Sequence, residues 1–306
     1  MENKAFRHPM TPGSVAFSIF NYTLLILLTV ACIYPFYYVF INSISANDLS
    51  ARGDIIFLPR QVHISNYLQV LRLPGLPRAA YISVARTVVG TITSVLACGF
   101  LGYLFTKPMW GRKFWYRLLV ASMYVNAGLI PYFLTLFRMG FMGSFSVYIL
   151  PLIIQPFSVL LVKTFVESIP ISLQESAEID GAGPLRIFMY IVLPLSKSIL
   201  ATVAIFAAVG QWNNFMDTLL FNVADQRLWT LQFVLQQYLN DAQRLAQQIR
   251  SMEGPIDYAL IVAMRAQTPT SVRMTVTMIV TLPILFVYPF FQRYFTKGIM
   301  VGAVKG

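Results

Sequence analysis

Charge is what this 306-residue chain has least of: Asp, Glu, Lys and Arg together make up 11% of it, against about 25% in soluble domains. That is too little to cover a water-exposed surface. Two histidines, His8 and His63, leave almost nothing for a histidine-based active site. Two cysteines, Cys32 and Cys98, both lie inside apolar runs, without metal-ligand spacing and in segments where a disulfide is not expected. No G-x-x-x-x-G-K-[ST] loop occurs, so the chain does not itself cradle nucleotide phosphates. No H-E-x-x-H or G-x-S-x-G occurs either, which removes the zinc-protease and serine-hydrolase readings. No enzyme activity and no metal or cofactor of its own is expected.

What is abundant is apolar surface. Hydrophobic residues make up 57% of the chain, and the mean hydropathy is +0.65. A spanning helix needs about 20 mostly apolar residues. Six charge-free windows approach or exceed that: Val15–Ile41, Thr87–Phe105, Leu118–Phe137, Met139–Val162, Ser198–Met216 and Met274–Gln292. The first is about twice as long as a cleaved signal h-region and lacks a small-residue cleavage signal, so it reads as a retained helix. The fold expected is an all-α membrane protein of six transmembrane helices. The formal charge of +11 then reflects basic residues flanking apolar runs and meeting lipid, not nucleic acid.

The lysines set the orientation. All seven fall near the termini, in the 106–113 loop or in the 163–197 segment, which share one side of a six-span topology. Both termini are therefore expected in the cytoplasm. The division is then a cytoplasmic tail 1–14, a membrane domain 15–297 and a cytoplasmic tail 298–306. Residues 43–80 and 217–273 form outside loops, and 106–117 and 167–197 lie inside. Met139-Gly140-Phe141-Met142-Gly143-Ser144 promises a tight turn between windows three and four, making an antiparallel hairpin. Gly90, Ser94, Cys98 and Gly102 form a small-residue stripe suited to close helix packing, either internally or at a subunit interface. Within the second outside loop, Leu231, Leu235, Tyr238, Leu239, Ala242, Leu245 and Ile249 recur at helical spacing. That amphipathic helix is either a lid on its own membrane domain or a docking surface for an external partner.

No ionisable residue lies mid-window, so the chain shows no internal proton or sodium coupling. The inside loop is where another energy source could act. Ser172 and Glu175 have the spacing of a capping box that would start a short helix after Ser172. Gly181 or Gly183 can stop it, and Pro184 can open a second helix at its first position. Two short helices at a tight elbow, carrying Glu167, Glu175, Glu178 and Asp180, would lie across the inner end of the bundle.

Glu175-Ser176-Ala177, Asp180-Gly181-Ala182 and Ile191-Val192-Leu193-Pro194 together resemble the EAA loop of ATP-binding-cassette importer membrane subunits. Ser176 stands where that pattern has its middle alanine. The six spans, the three–four hairpin and Gln211-Trp212-Asn213-Asn214-Phe215 extend the resemblance over most of the chain, to the shorter, maltose-type permease subunit of the carbohydrate branch. Gly128-Leu129-Ile130-Pro131 and Arg138-Met139-Gly140 look like the subgroup handling complex oligosaccharides such as polygalacturonan or alginate fragments. The resemblance implies a type I, MetI-like permease fold with a cytoplasmic coupling loop over 168–194.

It also implies that Glu175, Ser176, Ala177, Asp180, Gly181 and Ala182 engage an ATPase, on a scaffold made by Ser172, Pro184, Leu193 and Pro194. Implied partners are a second membrane subunit, two cytoplasmic ATPase subunits that hold ATP and magnesium, an extracytoplasmic solute-binding protein and a sugar, in a bacterial cytoplasmic membrane. Tyr124, Asn126, Trp212, Asn213 and Asn214, aromatic rings beside amides, are the candidate substrate path, with ordinary helix packing as their other reading. An importer for peptides, amino acids or ions, and a non-transporting membrane scaffold, are the alternatives. The Trp212-Asn213-Asn214 run argues against the former and the EAA loop against the latter.

Overall fold

The computed structural model describes residues 12–125, 127–251 and 268–303. These are helical, with no strand among them. The helices are α1 Pro12–Ser43, α2 Asn47–Arg52, α3 Ser65–Leu71, α4 Leu76–Leu104, α5 Arg112–Ser122, α6 Leu129–Arg138, α7 Pro156–Val166, α8 Ser172–Ile179, α9 Pro184–Ile187, α10 Leu193–Leu195, α11 Lys197–Asn213, α12 Met216–Phe221, α13 Leu231–Ser251 and α14 Pro269–Ala303. The chain divides into two compact units, one of residues up to Val70 with Asp241–Ile279, the other of Leu71–Asn240 with the residues from Val280 onward.

In the first unit α1 is apolar on every side and exposed along most of its length, as a lipid-facing span is. Only its last residues, Ile41 to Ser43, are buried. There the chain turns into a polar knot. The Asn42 amide donates to the carbonyls of Tyr38 and Ile55 at 2.9 and 3.2 Å, and Ser50 donates to Asn42 at 2.9 Å. Asn47 and Asn66 exchange amide bonds of 3.2 and 2.8 Å. Buried amides of this kind stay buried only when partnered, so these bonds fix the path of residues 42–66.

The second unit is built around α4, which packs along α11 and α7. The small-residue stripe explains the close approach and settles its role as internal packing. A Cβ on Gly102 would lie 2.8 Å from the Val162 side chain and 3.0 Å from the Lys163 backbone nitrogen. One on Gly90 would lie 2.5 Å from the Gln211 amide. Ser94 and Cys98 complete the buried face, and the Cys98 sulfur accepts from the Gln155 backbone N–H at 3.3 Å.

Three of the six windows are not single helices. Leu118–Phe137 is interrupted between α5 and α6, where Gly128 takes φ +81° and ψ 177°, a conformation closed to other residues; α5 in turn starts earlier, at Arg112. Met139–Val162 begins with 3₁₀ turns over Phe145–Tyr148 and Leu150–Leu152, and is bent by 46° before α7. Pro151 and Pro156 remove the N–H groups a continuous helix would need there. Ser198–Met216 ends early because Asn214 is extended, at ψ 108°. The segment Pro184–Leu195 meets α11 at 87°. Among the described residues three helices are long and apolar enough to cross a membrane, or up to five when each bent pair is one span. The turn expected at residues 139–144 is present, with Gly140 and Gly143 both at positive φ.

Candidate functional site

The elbow forms where the sequence places it. Helix α8 ends in a complete Schellman closure: Gly181 N–H bonds the Glu178 carbonyl at 3.0 Å, and Ala182 N–H reaches back to Ala177 at 2.9 Å. The closure needs a left-handed residue at its centre, and Gly181 supplies it at φ +78°. Ala177 and Ala182 meet the apolar cluster formed by α4, α7 and the segment after α9. Pro184 opens α9 at its first position.

The capping box expected at Ser172 and Glu175 does not form. Ile171 already has helical torsions and no side chain caps the helix. The carbonyls of Pro170 and Ile171 take the N–H groups of residues 173, 174 and 175 at 2.9–3.3 Å. The backbone turn thus meets the need the Ser172 hydroxyl would have met.

Beyond α9 the chain passes through a π-helical turn over Phe188–Val192, in which Leu193 N–H bonds the Phe188 carbonyl. Pro194, lacking its own N–H, follows directly. Phe188 anchors this turn between Phe100 and Tyr103, with ring centroids 5.2 and 5.9 Å away. The elbow is therefore held rigidly from beneath, while its outer side is open. Gln174 is the one buried residue of α8, whereas Ile179 is 87% and Leu185 63% exposed. Glu175, Ser176 and Asp180 are exposed beside them, and nothing lies within 4 Å of where a Gly181 Cβ would sit. Glu178 pairs with Lys107 of the α4–α5 loop at 2.6 Å, and Glu167 pairs with Lys163 at 2.7 Å.

The candidate substrate-path residues have separate settings. Tyr124 is exposed beside the α5–α6 break, where Met123, Gly128, Tyr132 and their neighbours line an open cleft of about 670 Å³. Asn126 lies outside the described residues. The Trp212 indole donates to the Val280 carbonyl at 3.2 Å, and Asn213 is exposed. Asn214 is committed locally, donating to the Asp217 carboxylate at 2.8 Å and accepting from the Asp217 N–H at 3.3 Å.

That carboxylate belongs to a cluster absent from the sequence-level expectations. Arg86, fully buried on α4, donates to Asp217 at 3.1 Å, to the Gln211 side chain at 3.0 Å and to the Asn214 carbonyl at 2.8 Å. Its guanidinium lies 4.4 Å from the centre of the Tyr148 ring. Tyr132 donates to the other Asp217 oxygen at 3.3 Å. The cluster ties α4 to the break between α11 and α12. The sequence did carry a signal: Arg86 immediately precedes one charge-free window and Asp217 immediately follows another, on the same expected side.

Fold and elbow together define a class, that of multi-spanning helical membrane subunits with a short rigid element across one end of the bundle. Residues 94–301 match the family described as binding-protein-dependent transport system inner membrane component, and the chain belongs to it. It is thus a membrane permease component of an ATP-binding-cassette importer, not the subunit that hydrolyses ATP. Among its relatives, protein LplC of Bacillus subtilis is 34% identical over 90% of both chains. The polygalacturonan/rhamnogalacturonan transport system permease protein YtcP of the same organism is 32% identical over 95% of this chain and 98% of its own length. The fold is similar to a bacterial ABC transporter involved in import of the acidic polysaccharide alginate, with a TM-score of 0.78, 26% identity, and coverage of 94% of this chain and 99% of that one.

Proposed function

We propose that this chain is one of two membrane subunits through which an ATP-driven importer carries an oligosaccharide into the cell. In this reading it crosses the membrane six times with both termini cytoplasmic, α5 with α6 serving as one span, the 3₁₀ turns of residues 145–152 with α7 as another, and α11 alone as a third. The elbow of α8 and α9 is the coupling loop, and two ATPase subunits hold the ATP and magnesium. An extracytoplasmic binding protein delivers the sugar on the opposite side. The observation that carries the reading is the elbow itself: rigidly anchored below, closed by Gly181, and presenting Ile179 and Leu185 to solvent. Exposed apolar side chains on an otherwise polar element favour a protein partner.

ATP binding draws the ATPase pair together, and an elbow fixed to α4, α7 and α11 passes that movement to the span-forming helices. Such switching requires that nucleotide favour one arrangement over the other. Tyr124, Asn126, Trp212 and Asn213 remain the candidate sugar contacts, while Asn214 positions Asp217. A carbohydrate cargo is supported by the relatives' names, which include oligosaccharide permeases alongside a more distant glycerol-phosphate one. The test is uptake by a strain lacking this chain. Restored growth and transport on oligosaccharides when the chain is returned is the expected result. Restored uptake of a non-sugar solute alone would replace the cargo, and no transport phenotype would move the scaffold reading forward.

A further inference from the structure

The first turns of α5 concentrate positive charge where helix electrostatics disfavours it. Arg112 and Lys113 occupy the first turn of α5, where positive charge opposes the helix dipole. Lys113 and Arg117 stand four residues apart, a like-charge spacing that destabilises a helix. All three are exposed, and none pairs with a carboxylate among the described residues. No acidic residue lies in α5 to offset them. A sequence that violates helix electrostatics in one place points to a function there.

The surroundings indicate what the charge is for. Arg112, Lys113 and Arg117 line an open cleft of about 790 Å³ together with Pro108, Met109, Trp110 and Phe114. Trp110 is 90% exposed, and Phe114 and Trp115 are exposed beside it. Tryptophan is concentrated at the level of lipid headgroups. Cations beside exposed rings in one cleft at the inner surface of a membrane match an anionic headgroup, with its phosphate on the charges and its upper acyl chain on the aromatics. Lys107, from the same loop, holds Glu178 of α8, so the cleft and the elbow adjoin.

We propose that this cleft is a binding site for an anionic phospholipid headgroup, placed against the coupling elbow. The proposal rests on the reading that the elbow faces the cytoplasm. It predicts that lipid bound in the cleft steadies the loop that grips Glu178, making coupling sensitive to anionic lipid.

The complex with its ATPase is tested by native mass spectrometry during titration with phosphatidylglycerol, comparing the wild type with R112Q/K113Q/R117Q and with the charge-conserving R112K/R117K. At about a factor of five per cation, the triple variant's midpoint should weaken by roughly a hundredfold. R112K/R117K should retain the lipid, and ATPase should remain attached in all three. An unchanged midpoint in the triple variant, or no lipid on the wild type, overturns the proposal. So does loss of the ATPase from the triple variant, which would make the face a protein contact. A wild type that carries phosphatidylglycerol in this cleft without any ATPase attached would instead count against the coupling reading, leaving the lipid site standing.

Discussion

Removing Asp217 is the perturbation that bears most directly on how the second unit holds together. Asp217→Ala leaves the Arg86 guanidinium fully buried with its ion-pair partner gone. Gln211, the Asn214 carbonyl and the Tyr148 ring remain, yet none carries charge. Stripping one partner from a buried pair costs about 3–5 kcal/mol, a hundredfold or more in the folded-to-unfolded ratio. Asp217→Ala also frees the Asn214 amide and the Tyr132 hydroxyl, which pushes the loss toward the upper end. The double variant Arg86→Met/Asp217→Leu removes both charges and should recover most of that loss, because a buried pair replaced by apolar groups is often neutral. Reversible unfolding in mixed detergent micelles, run as a double-mutant cycle, measures the coupling. A double variant no more stable than Asp217→Ala, or a single variant within about 0.5 kcal/mol of wild type, would refute the argument that this charge pair fixes the α11–α12 break.

Other outcomes follow from the same packing and elbow. Gly102→Ala should destabilise by about 1–3 kcal/mol, since the added methyl meets Val162 and the Lys163 backbone and α4 must move off α7; Ser94→Ala on the same stripe should cost much less, and melting of the two variants side by side checks this. Gly181→Val should reduce both ATPase co-purification and uptake because of its left-handed torsion, whereas Gly181→Asn, which tolerates that torsion, should retain more of both; full uptake by Gly181→Val would sink the coupling role. Asn240, Asp241 and Arg244 are exposed on α13, and replacing all three with alanine should lower binding-protein-stimulated ATP hydrolysis while leaving basal hydrolysis unchanged. That triple replacement is a cleaner probe than deleting residues 231–249, because Leu231, Phe233, Val234 and Leu235 are buried.

What the sequence made legible was mostly local. Gly181 and Pro184 mark the elbow because a left-handed stop and an N-terminal proline have short-range causes, and both are found at work. The periodicity from Leu231 onward foretells α13 for the same reason. Hydropathy, by contrast, sums over a window and is blind to torsion, so it ran through Gly128, Pro151 and Asn214 where the chain turns. The capping box failed because the backbone at Pro170 and Ile171 had already satisfied the amides that Ser172 would have bonded. The Arg86–Asp217 pair joins residues 131 positions apart, and no local pattern announces a partner at that distance.

The central claim, that α8 is the element by which an ATPase drives this membrane subunit, is tested most directly at Ile179. In a Cys32→Ser background, which removes the exposed native thiol, Ile179→Cys is introduced and the tagged complex is isolated from its native membrane in mild detergent. A thiol-reactive photo-cross-linker is then attached and the product identified by mass spectrometry. The account predicts an adduct with an ATP-binding-cassette ATPase, accompanied by a second membrane subunit. A chain that purifies alone, or an ATPase present in the complex yet never cross-linked to residue 179, would contradict it.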